Sequence, residues 1–404
     1  MLLTTFILNA HSQLYEWRGP ERSGVYNETG LLKEWPGSGP ELCLELDDLG
    51  DGYSSPTVTD NTIYITGRKE QSDVLSAFTL DGKKKWEIVY GDAWIRNHTG
   101  NRCTPTYSKG NIFLISGGGD IVCVDSNGEI KWSKNHYALY DSKPIMFGIS
   151  ESPLVVGNIV IASPGGNKAS LVAFNIENGD VVWETEPLNE SPQYVNPKLI
   201  EHGGRKIITS ITRNHIIGVD AKNGKLLWKV DYAEINAATG RVSVNHANTP
   251  IYRDGLILIA NGYDWVALQL KLSKDGSDVE IVWENREFDP HHGGMVLMGD
   301  FVYSSNHKSN SMGDWLCINW KTGKTEWTTN WYNKGSIISA DGMLYLFEEK
   351  SGHVALVKPN PDKLDIVSEF QVKKGSGPYW AHPVISNGKL YIRHGETLMV
   401  YAIR

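Results

Sequence analysis

Two stretches near the middle of the chain, VAFNIENGDVVW (residues 172–183) and IGVDAKNGKLLW (residues 217–228), share one pattern. Each opens with alternating apolar residues, passes through a D/N-x-x-N-G segment and closes a second run with tryptophan. Alternation with a period of two predicts strands, and a glycine-containing turn between two such runs predicts a β-hairpin. We expect the closing residues, Trp183 and Trp228, to pack between neighbouring repeats.

The same hairpin recurs along the chain. Further copies end at Trp86, Trp132, Trp283 and Trp327, and a degenerate copy ends at Phe370. A second hairpin precedes these copies, as in SSPTVTDNTIYIT (54–66) and NTPIYRDGLILIA (248–260). Four short strands in each unit of about 45 residues are typical of a propeller blade.

The last unit, HPVISNGKLYIRHGETLMVYAIR (382–404), supplies only three strands. The missing strand is available near the other end of the chain, where PELCLEL (40–46) places Cys43-Leu44 at the aromatic position of the repeat. A strand there would complete the last blade and remove the open edges of the ring. We therefore predict an all-β protein with one domain at 13–404. It is an eight-bladed β-propeller of four-stranded antiparallel blades, closed by an N-terminal strand.

The net charge and the N-terminal sequence indicate the partners and the location of the protein. The 404 residues carry a net charge of −8, which disfavours binding to nucleic acid. The opening MLLTTFILNAHSQ combines an apolar run with a small-x-small pattern, so residues 1–12 are predicted to be a signal peptide. We expect a monomer exported to the periplasm or secreted, without membrane insertion.

The recurrent A/V-x-D-x-x-x-G-x-x-x-W unit resembles the quinoprotein-type repeat from about Trp17 to Arg404. That fold hosts pyrroloquinoline-quinone dehydrogenases, the propeller lipoprotein of outer-membrane protein assembly, and exported proteins of polysaccharide-utilisation loci. The opening YEWRGPERSGVY (15–26) resembles the last group most. The dehydrogenases carry a vicinal disulfide, but this chain has no adjacent cysteines. Cys103 and Cys123 fall on strands ~9–10 Å apart, beyond the reach of a disulfide, so no quinone cofactor is expected.

In a four-stranded meander blade, the connection to the next blade and the loop between the second and third strands open on one face. Ten of the twelve histidines fall at these positions: His98, His136, His215, His246, His291, His292, His307, His353, His382 and His394. Such a rim, with arginines and aromatic rings, suits an anionic carbohydrate as partner. The predicted substrate-binding residues are His98, Arg102, Arg241, Asn245, Tyr379 and His382.

Histidine, arginine and tyrosine together suit β-elimination on a uronic acid, by a lyase or a dehydratase. We predict His246, His292 and Tyr263 as catalytic residues. In FDPHHGGM (288–295), extended backbone would turn only one histidine toward the channel, and the glycines that follow favour His292 over His291. A metal site there would need a third ligand from another blade, such as His307, and none is predicted.

A non-catalytic alternative stays open. The chain could be a scaffold similar to the outer-membrane assembly propeller, or a sugar-binding protein. The assembly propeller is a lipoprotein, whereas the first cysteine here, Cys43, lies inside a predicted strand. A quinone-dependent dehydrogenase is the less favoured third interpretation.

Overall fold

The computed structural model of the protein describes residues 14–237 and 245–404. The expected signal peptide at 1–12 and the candidate Arg241 lie outside the described residues. Three strands precede the first blade: β1 (Leu14–Tyr15), β2 (Val25–Tyr26) and β3 (Glu41–Leu46).

Alternating apolar stretches then form antiparallel meanders of four strands each. The first four blades are β4 (Thr57–Val58), β5 (Ile63–Lys69), β6 (Ser72–Phe78), β7 (Lys84–Asp92); β8 (Thr106–Ser108), β9 (Asn111–Ile115), β10 (Asp120–Asp125), β11 (Ile130–Asn135); β12 (Leu154–Val156), β13 (Ile159–Ala162), β14 (Val172–Asn175), β15 (Val181–Glu184); and β16 (Lys198–His202), β17 (Arg205–Ile211), β18 (His215–Asp220), β19 (Leu226–Asp231).

The second half of the ring repeats this arrangement. Its blades are β20 (Ile251–Arg253), β21 (Leu256–Ile259), β22 (Ala267–Leu272), β23 (Val279–Asn285); β24 (Met295–Met298), β25 (Phe301–Ser309), β26 (Met312–Asn319), β27 (Thr325–Thr329); β28 (Gly335–Ala340), β29 (Met343–Glu348), β30 (His353–Lys358), β31 (Asp365–Gln371); and β32 (Val384–Ser386), β33 (Lys389–His394), β34 (Thr397–Ala402) with β3.

The described residues thus form eight blades in a ring, and the predicted all-β propeller is confirmed. First strands of neighbouring blades contact one another, so they line the channel, and fourth strands lie outside. The predicted closure is also confirmed, because β3 pairs antiparallel with β34, from Glu41 opposite Ala402 to Leu46 opposite Leu398.

A tryptophan and a glycine hold successive blades together. Trp183 donates its indole N–H to the carbonyl of Ala221 in the turn of the next blade. The glycine of that turn, Gly224, has φ +74° and lies flat against the ring, where an added Cβ would come within 2.5 Å. Gly128 lies against Trp86 and Gly179 against Trp132 in the same way, so the turn glycine is needed for its backbone angle and for its lack of a side chain.

Every blade carries a β-bulge just before this position, and the bulges correct one prediction. In blade seven the register places Ser368, and not Phe370, at the tryptophan position. Trp35 fills the gap: its backbone N–H bonds the Ser368 hydroxyl, and its ring packs on Phe370 at 5.4 Å. Phe370 itself lies against Gly39, two residues before β3, as the repeat tryptophans lie against their turn glycines.

Residues 14–40 form an N-terminal arm that crosses the channel from blade two to blade seven. Its strand β1 pairs with β8 of blade two, and β2 pairs in parallel with β28 of blade seven. Between them lie a 3₁₀ turn at Pro20–Arg22 and two arginines in the left-handed backbone region, Arg18 and Arg22. The arm therefore divides the channel into two cavities, and Trp17 lines both.

Two short helices, α1 (His136–Tyr140) and α2 (Tyr232–Ala237), follow the outer strands of blades two and four. Within the part of the chain that the structure describes, no helix has the length and apolar character to cross a bilayer.

Candidate functional site

The larger cavity, of about 360 Å³, opens on one rim of the channel and is called here the rim cavity. Its lining comes from connections between blades and from loops between second and third strands, as the rule for meander blades predicts, and also from the arm, which that rule does not cover. The lining residues are Trp17, Tyr53, His98, Arg102, Phe147, Ser150, Tyr194, Asn196, Asn245, Ala247, Tyr263, His291, His292, Asn310, Glu349, Trp380 and His382.

The floor of the cavity is fixed by Arg18 of the arm. Its guanidinium donates to the carbonyls of Ile337 (2.9 Å) and Met295 (2.8 Å) and to Nδ1 of His382 (2.9 Å). Because Nδ1 of His382 accepts, the proton lies on Nε2, which donates to the carbonyl of His292 (2.9 Å). Burial, followed by the charges of Arg18 and His292, lowers the pKa of His382 well below its ordinary value. This neutral histidine therefore positions the backbone of His292.

A second arginine anchors the other side of the arm. Arg22 donates to the carbonyls of Pro153 (2.6 Å) and Pro197 (3.1 Å), and its Nε bonds Glu16 at 2.8 Å. The two arginines together tie the arm to blades three, four, six, seven and eight. The cavity floor is consequently a rigid part of the ring.

One wall presents a tyrosine and a cluster of imidazoles. Nε2 of His291 and the hydroxyl of Tyr263 are 2.8 Å apart, and the His307 ring lies 4.7 Å from that of His291. Burial lowers the pKa of His291 well below its ordinary value, and His292, His307 and Lys334 lower it further. Tyr263 and Asp264 both have positive φ (71° and 64°), a strained conformation for residues other than glycine that is typical of functional loops.

The adjoining wall carries a buried charge pair. Glu349 lies 3.1 Å from Nε2 of His292 and 2.8 Å from Nζ of Lys334, which is almost fully buried. Burial alone would raise the pKa of Glu349, but the hydrogen bond from His292 and the charges of His292 and Lys334 hold it below its ordinary value. Glu349 is therefore a carboxylate inside the cavity with its charge already balanced.

A third wall, next to His292, is aromatic and cationic. The Trp380 ring packs against Tyr53 (4.9 Å) and His98 (5.5 Å). Arg102 lies over Tyr53 at 5.7 Å and donates to the carbonyls of Phe147 (2.5 Å) and His98. These bonds hold the guanidinium in place before any ligand arrives.

A family model described as outer membrane protein assembly factor BamB matches residues 90–329, more than half of the chain. The chain belongs to this family. Membership accounts for the bladed repeat and its tryptophans. No curated protein sequence matches the chain.

Solved propellers share the fold of this BamB-family chain at low sequence identity. BamB from Moraxella catarrhalis superposes with a TM-score of 0.62 at 14% identity, covering 90% of this chain and 98% of that one. Sqt1 from Saccharomyces cerevisiae gives 0.63 at 10% identity, covering 90% and 100%. The computationally designed Ika8 protein gives 0.58 at 8% identity, covering 89% and 100%. At these identities the likeness establishes the fold alone.

The structure brings most of the predicted site residues of this BamB-family propeller into one cavity. His98, Arg102, Asn245, Tyr263, His292 and His382 all line it. His291 lines it as well, so the expectation that only one of the two histidines faces the channel is wrong. The chain bends at His292 and Gly293, and the alternation of extended backbone does not apply across a bend.

His246 does not reach the cavity, and its predicted position on the channel wall needs correction. Its side chain is fully buried, edge-on to Trp265 at 4.5 Å, and its Nε2 bonds the carbonyl of Arg213 at 3.1 Å. Its neighbours Asn245 and Ala247 face the cavity instead, since this segment is extended. Burial lowers the pKa of His246 to about 4.

Tyr379 is also absent from the cavity lining. Its ring stacks on His394 at 3.6 Å and its hydroxyl donates to the carbonyl of Val372. The next residue, Trp380, lines the cavity instead.

Sequence reasoning missed Glu349, Lys334 and the arm residues Trp17 and Arg18. The rule applied to the histidines would also have identified Glu349, because this residue lies in the loop between the second and third strands of blade seven. Arg18 donates mainly to backbone carbonyls, and Lys334 donates to the carbonyl of Ser309 and pairs with Glu349. No sequence pattern predicts contacts of this kind.

Proposed function

We propose that this protein binds a small acidic saccharide in the rim cavity, in the periplasm or outside the cell. The observation that carries the proposal is a cavity closed below by the arm and walled by aromatic rings on one side and polar groups on the other. Membership of a family described as an assembly factor supports a binding role rather than catalysis.

The size and charge of the cavity fit such a ligand. A volume of about 360 Å³ is within the range of small-molecule sites. Trp380 and Tyr53 offer flat faces for sugar rings, and Asn196, Asn245 and Asn310 offer hydrogen bonds to hydroxyl groups. Among the described lining residues Glu349 is the sole carboxylate, and Lys334 balances it, so the fixed charge of Arg102 favours an anion.

The test is a titration followed by calorimetry and by intrinsic fluorescence, using uronic-acid oligosaccharides and neutral oligosaccharides of equal length. We expect saturable binding of the acidic series. Trp380→Ala should abolish it, and Arg102→Met should remove the preference for acidic over neutral sugars.

The matched control is Tyr332→Ala, which removes an exposed aromatic ring of the same rim that is not part of the cavity lining. It should bind as the unaltered protein does. Absence of binding to every saccharide, or equal binding by Trp380→Ala, would overturn the proposal.

The β-elimination interpretation remains as a second candidate, favoured by one contact. The Tyr263 hydroxyl and Nε2 of His291 share a hydrogen bond of 2.8 Å inside the cavity, so a proton donor and a proton acceptor lie side by side. The imidazole would take the C5 proton of a uronate, the C4–O bond would break, and the phenol would protonate the leaving oxygen. In this form His291 replaces the buried His246 as the base.

Turnover of this kind forms an unsaturated uronate, which is detected by ultraviolet absorbance. Tyr263→Phe and His291→Ala should each lower the rate at least ~10²-fold. Saccharides that bind without any rise in absorbance would leave the binding proposal in place and remove the enzymatic one.

A further inference from the structure

Three side chains of the rim cavity form a set suited to a metal ion. His291 and His292 lie in the connection between blades five and six, and Glu349 lies in a loop of blade seven. One ring nitrogen of each histidine and one carboxylate oxygen all lie within 4.8 Å of one another. We propose that His291, His292 and Glu349 bind a divalent transition-metal ion of the zinc class.

The backbones that carry these ligands are held firmly. The carbonyl of His292 accepts from His382, which Arg18 fixes in turn. Gly293 lies so close to blade seven that an added Cβ would meet the Gly335 carbonyl at 1.8 Å. A metal site needs ligands fixed before the ion arrives, and the pair of glycines after the two histidines makes this close packing possible.

His291 has a nitrogen to spare. Its Nε2 bonds the Tyr263 hydroxyl, whereas Nδ1 is buried with no hydrogen-bond partner in the described part of the chain. A buried polar atom without a partner is energetically unfavourable, so this unpaired nitrogen points to a ligand. Histidines that bind metals usually engage their second nitrogen with another protein group, and Tyr263 is that group here.

Glu349 supplies the negative charge. Its Oε1 bonds Lys334 at 2.8 Å, which orients the carboxylate, and its Oε2 lies 3.1 Å from Nε2 of His292. An ion between these two atoms would replace the hydrogen bond by two coordinate bonds. Lys334 offsets the negative charge of Glu349, so we expect moderate rather than very tight affinity.

The ligand types select the class of metal. Two imidazoles and one carboxylate suit zinc and similar ions better than calcium or magnesium, which prefer oxygen ligands. Three protein ligands leave a fourth position of a tetrahedral ion open toward the cavity. An ion on Nδ1 would occupy the lone pair of His291, so metal binding and a free His291 base exclude each other.

The test uses the full-length protein after dialysis against a chelator. Titration with zinc, followed by calorimetry, should show one site per chain, and cobalt should give the visible spectrum of a four-coordinate ion. Zinc should also raise the melting temperature of the unaltered protein, because the ion binds the folded chain. His291→Ala and Glu349→Gln should each lose the site, and Tyr263→Phe should weaken zinc binding ~10–100-fold.

The matched control is His215→Ala. His215 pairs with Glu190 at 2.5 Å on the same rim but has no second histidine in its set, so its loss should leave zinc binding unchanged. No zinc bound by the unaltered protein, or equal binding by His291→Ala and Glu349→Gln proteins that retain their folded circular-dichroism spectrum, would overturn the proposal. Saccharide titrations repeated with chelator present test the saccharide proposal separately from the metal proposal. Saccharide binding by a protein that binds no zinc would overturn only the metal proposal.

Discussion

His246 is enclosed by Trp265 and Tyr232, and its function is to fill the space between blades four and five. Its backbone also accepts the N–H of Tyr194 at 3.0 Å, which helps to hold that cavity residue. We therefore expect His246→Ala to lower the free energy of unfolding by about 2–4 kcal/mol, in line with other large-to-small changes in a core.

Urea unfolding measures the loss, and saccharide titration of the folded variant should show affinity within a few-fold of the unaltered protein. Unchanged stability together with abolished binding would mean that His246 takes part in ligand binding and not in packing.

Buried neutral histidines also make stability depend on pH. Burial lowers the pKa of both His136 and His246 to about 4, below the value of about 6.5 for an exposed imidazole. Between pH 6.5 and 4 the unfolded chain therefore binds more protons at these two residues than the folded chain, and stability falls as the pH falls. Each group contributes up to about 1.4 kcal/mol per pH unit.

Unfolding free energies at pH 7, 6 and 5 should decline in this direction, and His246→Gln should show a shallower decline. Equal slopes for the two proteins would contradict the assignment.

At the scale of the repeat element, the contact between turn glycine and tryptophan can be separated from backbone strain. Gly224 and Gly157 both have positive φ (74° and 64°), but only Gly224 faces an indole ring. Gly157→Ala should be destabilising by about 1–2 kcal/mol through its backbone angle. Gly224→Ala should lose a further 1–3 kcal/mol because its methyl group collides with Trp183.

Melting temperatures of the two variants make the comparison directly. Equal losses of stability would mean that glycine is required in these turns only for its positive φ, and not for its contact with tryptophan.

The elements also show why some features were predictable and others were not. A hairpin that recurs with its tryptophan specifies the blade, its neighbours and even the closing strand, because every copy repeats the same local information. Blade seven breaks that rule: Trp35, from a distant segment, packs on Phe370 in the blade that lacks its own tryptophan, and no local pattern indicates it. The rim rule located most of the cavity residues, but side-chain direction within a connection depends on bends such as the one at His292, which alternation cannot supply.

At the scale of the whole molecule, we expect the arm across the channel to contribute more to the free energy of unfolding than its length suggests. Arg18 is almost fully buried and satisfies carbonyls of blades six and seven together with His382 of blade eight. Arg18→Met would leave these acceptors without a donor, and hydrogen bonds from a charged group contribute about 1.5–3 kcal/mol each. We expect a loss of at least 3 kcal/mol and release of the arm.

Urea unfolding and limited proteolysis near residues 14–40 would detect these effects. Arg253→Met, which alters a partly exposed arginine at the end of β20 that does not contact the arm, should cause neither. A proteolysis pattern unchanged by Arg18→Met would show that β1 and β2 alone hold the arm.

The arm also sets the order in which the protein can be completed during synthesis. Trp17 and Arg18 are among the earliest described residues to leave the ribosome, yet their partners include His382 in the last blade. At about 5–20 residues per second, roughly 20–70 s separate the two ends of this contact. Until the final hairpin emerges, the arm has no complete channel to cross and β3 has no β34 to pair with. A chain that stops short by one blade therefore lacks both the closed ring and the part of the rim cavity that Trp380 and His382 line.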